Sequence, residues 1–196
     1  MKLNGTKTAE NLMKAFAGES QARNRYTFYA SVADKEGYKQ IKNIFIETAD
    51  NEKEHAKRLY KFLLAGFEGD LPAVIEIEGG FPVSQGTTLQ NLKAAANGEY
   101  EEWNTDYPEF AKIAQEEGFP EIAEAFRAIA RAEARHETRF KKLADNVEKG
   151  RVFKKEAKTL WKCGNCGYVH EGEEAPEHCP ACVHPQAYFE VFAETY

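Results

Sequence analysis

Apolar residues recur at alternating steps of three and four along two stretches of this chain. The first stripe reads Ile41, Phe45, Thr48, Glu52, His55, Leu59 and Phe62. The second reads Ile122, Phe126, Ile129, Glu133, His136, Phe140, Leu143 and Val147. Such spacing marks one face of an amphipathic helix turned toward a core. Extended along the chain, the pattern predicts four long helices. The first runs from about Thr8 to Glu36 and stops at Gly37. The second runs from about Tyr38 to Ala65 and stops at Gly66. The third runs from about Thr87 to Glu117, stops at Gly118 and is kinked by Pro108. The fourth runs from Pro120 to Lys149, with proline in its first turn and Gly150 just past its end.

Connections between the first and second helices, and between the third and fourth, are nearly absent. A Gly/Pro-punctuated stretch over 66–86 separates the two pairs. Short, long, short is the connectivity of a four-helix bundle with one long crossover, as in ferritin-like folds. The hairpins also repeat. Ala17-Gly18-Glu19 matches Asn97-Gly98-Glu99 at an offset of 80. Glu52-x-x-His55-x-x-Arg58 matches Glu133-x-x-His136-x-x-Arg139 at 81, and Tyr26 matches Tyr107. A repeated helical hairpin predicts a pseudo-two-fold bundle with a symmetric centre.

Each apolar stripe carries a Glu and a His, three apart, where apolar residues belong. Glu19, after Leu12 and Phe16, and Glu99, after Leu92, share that inward placement. A buried carboxylate without a partner costs several kcal/mol, and four together repel one another. A pair of metal ions relieves all of them. One Glu from each of two helices plus Glu-x-x-His from each of the other two is the ligand set of dinuclear carboxylate bundles. Solvated helix faces or a buried Glu–His pair are the plainer readings, and two in-phase matches argue against both. Glu102 lies on the Glu99 face, where the first half has Ala22, so one metal gains an extra ligand that symmetry does not supply. Tyr26 and Tyr107 stand one to two turns beyond the ligands, placed to hydrogen-bond their carboxylates or simply to fill the core.

Composition changes near Gly150. All four cysteines follow it, as Cys163-x2-Cys166 and Cys179-x2-Cys182, together with three of the five histidines. Two such knuckles complete a tetrathiolate site, for which spacing alone favours structural zinc. Trp161, Tyr168, Tyr188, Phe189 and Phe192 are expected to shield it; His170, His178 and His184 read as surface residues. The division is therefore a bundle over 1–150 and a small metal-stapled domain over 151–196. In 196 residues with a net charge of −6, no basic face suggests nucleic acid, and no apolar run suggests a membrane span. The opening residues lack a signal-peptide core, so a cytoplasmic location is expected.

The segments AFAGESQARNRY (15–26), ETADNEKEHAKR (47–58), NGEYEEW (97–103), AEARHETRF (132–140) and CGNCGYVHEG…APEHCPACVHP (163–185) resemble the rubrerythrin family over almost the whole chain. The resemblance implies a ferritin-like di-iron domain joined to a rubredoxin-like Fe(Cys)₄ domain. It makes Glu52 and Glu133 bridging ligands, Glu19 terminal on one iron, and Glu99 with His136 terminal on the other. It has Glu102 and His55 exchange on one iron, Glu102 when oxidised and His55 when reduced. Tyr26 and Tyr107 match the tyrosines that flank the ligands, and Cys163, Cys166, Cys179 and Cys182 match the tail's iron ligands. With this resemblance the tail's expected metal moves from zinc to iron, zinc remaining possible in either site as isolated. The implied activity is reduction of hydrogen peroxide to water in oxidative-stress defence. Electrons would come indirectly from NADH through an external donor of the rubredoxin or rubredoxin reductase type. A 28-residue helix spans about 42 Å, so the tail is expected to serve a partner's centre in a head-to-tail homodimer or larger oligomer. The rivals are an iron-storage or ferroxidase protein, and a non-enzymatic metalloprotein with a structural zinc ribbon.

Overall fold

The computed structural model describes residues 2–195; Met1 and Tyr196, the outer ends of the two expected domains, lie outside the described residues. Five α-helices and three strands follow one another: α1 (Lys7–Lys35), α2 (Lys39–Gly66), α3 (Thr88–Glu101), α4 (Tyr107–Glu116), α5 (Pro120–Glu148), β1 (Lys154–Cys163), β2 (Val169–Glu174) and β3 (Phe189–Val191). Helix α1 packs along α2, and α5 packs along α3 and α4, so the two hairpins face each other as a ferritin-like bundle. The extended crossover 67–87 joins them. Among the described residues no helix is long and apolar enough to cross a membrane.

The helix ends have local causes. Gly37, Gly118 and Gly150 take positive φ of 82°, 85° and 62°, the left-handed conformation that glycine adopts without a Cβ penalty. The following amides then reach back to Ala33, Ala114 and Asn146 and satisfy otherwise free carbonyls. Gly66 is different. It is the last residue of α2, and a Cβ there would collide with the Leu3 side chain, which packs against it. At the other ends the pseudo-symmetry reappears as crossed caps. Glu117, in the α4–α5 turn, accepts from Lys7 N (3.0 Å), Thr8 N (2.8 Å) and Thr8 Oγ1 (2.6 Å) at the start of α1. Its counterpart Glu36, in the α1–α2 turn, accepts from Thr88 N (3.0 Å) at the start of α3.

The expected single third helix with a kink at Pro108 is corrected. Residues Glu102–Asp106 form one turn of π-helix, and Pro108 sits in the first turn of α4, where its missing N–H is harmless. The Tyr107 N–H bonds to the Glu102 carbonyl, five residues back, so the turn holds one residue more than an α-turn. The repeat offset shows the same insertion: 80 from Glu19 to Glu99, but 81 from Tyr26 to Tyr107.

In the tail, β1 is central in a three-stranded antiparallel sheet of order β2-β1-β3. Trp161, Cys163, Ala175, Cys179 and Phe189 form its small core, with Phe153, Tyr168, Cys182 and Tyr188 packed on it. Phe192, expected in that aromatic shell, is not part of it; its amide extends the pairing to Leu160, and Phe153 takes the place. The sheet lies against the start of α2, where Tyr38 stacks on Phe153 (6.1 Å) and the Lys39 ammonium sits 5.2 Å from the Tyr188 ring.

Candidate metal centre

Four helices each deliver a carboxylate to the middle of the bundle: Glu19 from α1, Glu52 from α2, Glu99 from α3 and Glu133 from α5. All four are 1% exposed or less. His55 and His136 follow Glu52 and Glu133 by one helical turn and turn inward with them. The side chains form two groups, Glu19–Glu52–His55–Glu133 and Glu52–Glu99–Glu133–His136.

The groups share two carboxylates, and the sharing is specific at the atomic level. His55 Nδ1 lies 2.8 Å from Glu133 Oε1, 3.0 Å from Glu52 Oε2 and 3.7 Å from Glu19 Oε2. His136 Nδ1 lies 2.7 Å from Glu133 Oε2, 3.3 Å from Glu52 Oε1 and 3.5 Å from Glu99 Oε2. Glu52 and Glu133 thus turn one oxygen to each imidazole, while Glu19 and Glu99 serve one group each. None of these oxygens, and neither Nδ1, has a hydrogen-bond partner. Eight buried polar atoms converge without bonding one another, an arrangement too costly to keep unless something with positive charge completes it. The donor set, carboxylate oxygen and imidazole nitrogen, fits two metal ions.

The outer oxygens are occupied. The Tyr26 hydroxyl donates to Glu99 Oε1 and the Tyr107 hydroxyl donates to Glu19 Oε1, each tyrosine reaching the carboxylate of the opposite half. Their rings are fixed by matching aromatic neighbours. Tyr26 packs on Phe45 (6.0 Å) and Tyr29 (6.1 Å), as Tyr107 packs on Phe126 (5.8 Å) and Phe110 (6.2 Å).

In the metal-free chain the crowding redistributes protons. Burial, and then the Glu133 and Glu52 carboxylates, push Glu19 up to about 8. Burial raises Glu99 and Glu102 well above the usual carboxylate range. Glu133 is held down to about 2 although burial opposes it, because His136 and His55 both press on it. Burial alone would lower His136, but Glu133, Glu52 and Glu99 push it up to about 12, and His55 rises for the same reason.

Glu102 stands in the π-turn, half-buried, beside the centre but in neither group. Its turn is tied down by a bond not anticipated from the sequence. Trp103 Nε1 donates to Glu137 Oε2 (2.9 Å), and Glu137 is itself buried and paired with Lys141. Arg23 and Ala56 hold the matching positions of the first half, so this tie exists only where the extra residue does. The change of repeat offset between Glu99 and Tyr107 signals the inserted residue, though not the bond.

At the tail, Cys163 Sγ lies 3.7 Å from Cys182 Sγ and Cys166 Sγ lies 3.6 Å from Cys179 Sγ. These are far beyond a disulfide. With metal–sulfur bonds of about 2.3 Å, a tetrahedron has edges of about 3.8 Å, so the four thiols form a tetrathiolate cradle. The His184 N–H beside Cys182 holds that thiol down to about 6.

A family model described as "Rubrerythrin" matches residues 10–144, and one described as "Rubrerythrin, rubredoxin-like domain" matches 161–190. The chain belongs to the rubrerythrin family. It is 64% identical to a rubrerythrin of Clostridium perfringens over 195 residues, covering 99% of this chain and 98% of the relative. It is 54% identical to a rubrerythrin of Nitratidesulfovibrio vulgaris, covering 96% of each. A solved structure of partially reduced nigerythrin superposes with a TM-score of 0.63 at 31% identity, covering 97% of this chain and 92% of that one. Rubrerythrin membership accounts for both clusters in one chain, the carboxylate–histidine centre in the bundle and the four-cysteine site in the tail.

Proposed function

We propose that this chain is a cytoplasmic di-iron peroxidase that reduces hydrogen peroxide to two waters, with electrons delivered through an iron in its four-cysteine site. The observation that carries this is the division of Glu52 and Glu133 between two imidazole-centred groups, which suits a bridged metal pair and not two separate ions.

Reduction of one peroxide consumes two electrons and two protons. Glu19, Glu52, His55, Glu99, Glu133 and His136 would hold two iron ions, which would supply Lewis acidity and the two electrons that peroxide takes up. The chain's own residues do the rest. The Tyr26 and Tyr107 hydroxyls donate hydrogen bonds to the outer oxygens of Glu99 and Glu19, which leaves the inner oxygens directed at the centre. The half-buried Glu102 stands beside the carboxylates of the centre, in keeping with the exchange of Glu102 and His55 that the family resemblance implies.

The bundle (1–150) and the tail (151–196) divide the work into chemistry and electron supply. The tail packs beside Lys39, and His55 lies 16 residues along α2, about 24 Å away at 1.5 Å per residue. That separation favours delivery from the tail of a second copy in a head-to-tail homodimer or larger oligomer. The electrons come from an external donor of the rubredoxin or rubredoxin reductase type, fed ultimately by NADH. Oxidation of the reduced, iron-replete protein by one equivalent of hydrogen peroxide, followed by its visible spectrum, tests the proposal. A protein that stays reduced overturns it. A colourless oxidised tail assigns zinc to the cysteines, and full turnover by a strict monomer removes the head-to-tail arrangement.

A further inference from the structure

The geometry points to a built access chamber for neutral hydroperoxides, with room for a short alkyl group, beside the Glu102 face of the centre. The inference rests on the peroxidase reading above and names the side from which substrate arrives. A cavity of about 420 Å³ lies between α1, the π-turn and crossover residues 78–82. Hydrogen peroxide needs a small fraction of that volume.

Its floor is formed by Gly18 and Gly98, the residues immediately before ligands Glu19 and Glu99. Glycine inside a helix is unfavourable relative to alanine. Close packing does not require it here: a Cβ on Gly98 would meet nothing within 4 Å, and one on Gly18 only Glu102 Oε1 at 3.9 Å. What both glycines keep is open space next to the ligands. A second observation marks the chamber as a binding place. Asn11 is 2% exposed, lines it, and has an Nδ2 with no hydrogen-bond partner. Its counterpart Asn91 donates Nδ2 to the Gly86 carbonyl at 3.0 Å. Asn11 thus brings an unpaired buried donor to the edge of the chamber. Phe81, Phe110 and Ile113 give the chamber an apolar wall suited to a short alkyl group. Five carboxylates against three cationic side chains line it, a balance that disfavours anions such as superoxide.

The competing approach is a shallower depression beside His55, lined by Ala125 and Ala128. The test compares Gly98→Leu, which fills the chamber, with wild type and with Ala128→Leu on the other side. Iron-loaded, reduced proteins are mixed with hydrogen peroxide or tert-butyl hydroperoxide in a stopped-flow spectrometer. In parallel, the zinc-loaded wild type, which is redox-inert, is titrated with tert-butyl hydroperoxide while the amide resonances of Gly18 and Gly98 and the side-chain amide of Asn11 are followed by NMR. The chamber requires that Gly98→Leu slow the alkyl peroxide by at least about tenfold and hydrogen peroxide less. Metal content and melting should be intact, and shifts should appear at Gly18, Gly98 and Asn11. Equal rates in Gly98→Leu and wild type, or slowing confined to Ala128→Leu, overturn it. If wild type reacts with neither peroxide, the peroxidase reading fails, and the NMR titration alone decides whether the chamber binds hydroperoxides: shifts at those three residues uphold it, and their absence overturns it.

Discussion

Replacing Glu19 with Gln should make the metal-free bundle more stable at neutral pH and the metal-loaded bundle less so. In the metal-free chain, burial and the neighbouring carboxylates push Glu19 from 4.5 up to about 8. A carboxyl whose value is raised on folding holds its proton more tightly in the folded state. Its contribution is therefore fully present below 4.5 and is lost as pH rises toward about 8. From 4.5 to pH 7, at about 1.4 kcal/mol per pH unit, the loss is roughly 3 kcal/mol. Glutamine is close in shape to the protonated acid and still accepts the Tyr107 hydroxyl, but it does not titrate. Urea denaturation of chelator-treated protein should show Glu19→Gln ahead of wild type by up to about 3 kcal/mol at pH 7 and by less than about 1 kcal/mol at pH 5. With metal restored the order should reverse, because the His55 group loses an anionic donor while the His136 group keeps its full set. A wild-type-to-variant difference that is the same at pH 5 and pH 7 without metal would refute the reasoning.

Gly98→Ala should raise the unfolding free energy by about 0.5–1 kcal/mol, seen as a higher melting temperature, since the added methyl meets nothing within 4 Å. Glu117→Ala should cost about 1 kcal/mol, more than Glu36→Ala, because Glu117 accepts from three donors at the start of α1 and Glu36 from one at the start of α3. Burial is the largest single influence and opposes it, but the bonds from Thr8 and Lys7 together hold the Glu117 carboxyl below 4.5. The stabilisation is thus present at neutral pH and fades as acid titrates Glu117 through that lowered value, which urea midpoints against pH will show. Trp103→Phe removes the donor to buried Glu137 and should cost about 1–3 kcal/mol by the same measurement, with a looser π-turn detectable as faster amide exchange over 102–106.

The helices were legible because their signals are local. Stripe spacing, Pro120 at a first turn and the glycines at 37, 118 and 150 act within a few residues of chain. The metal groups were legible for a related reason: polar residues sat in phase with an apolar stripe, twice, at matching positions. A π-turn stands in place of the expected kink at Pro108: a proline in a first turn leaves a helix intact, and the shift from 80 to 81 marks an inserted residue. The Trp103–Glu137 bond left no local trace, because its partners lie on different helices, 34 residues apart.

Alone, the sequence determined the bundle, its repeat, the cysteine cradle and the identity of every side chain that converges on the centre, since all of these follow from periodicity and spacing along single elements. The tertiary structure decided which oxygen faces which imidazole, that each tyrosine serves the opposite half, that Glu102 waits beside the groups on an extra turn, and that two glycines floor a chamber. Those facts depend on how separate helices meet, and the distances between helices are set by packing across the whole bundle, not by any one stretch of chain.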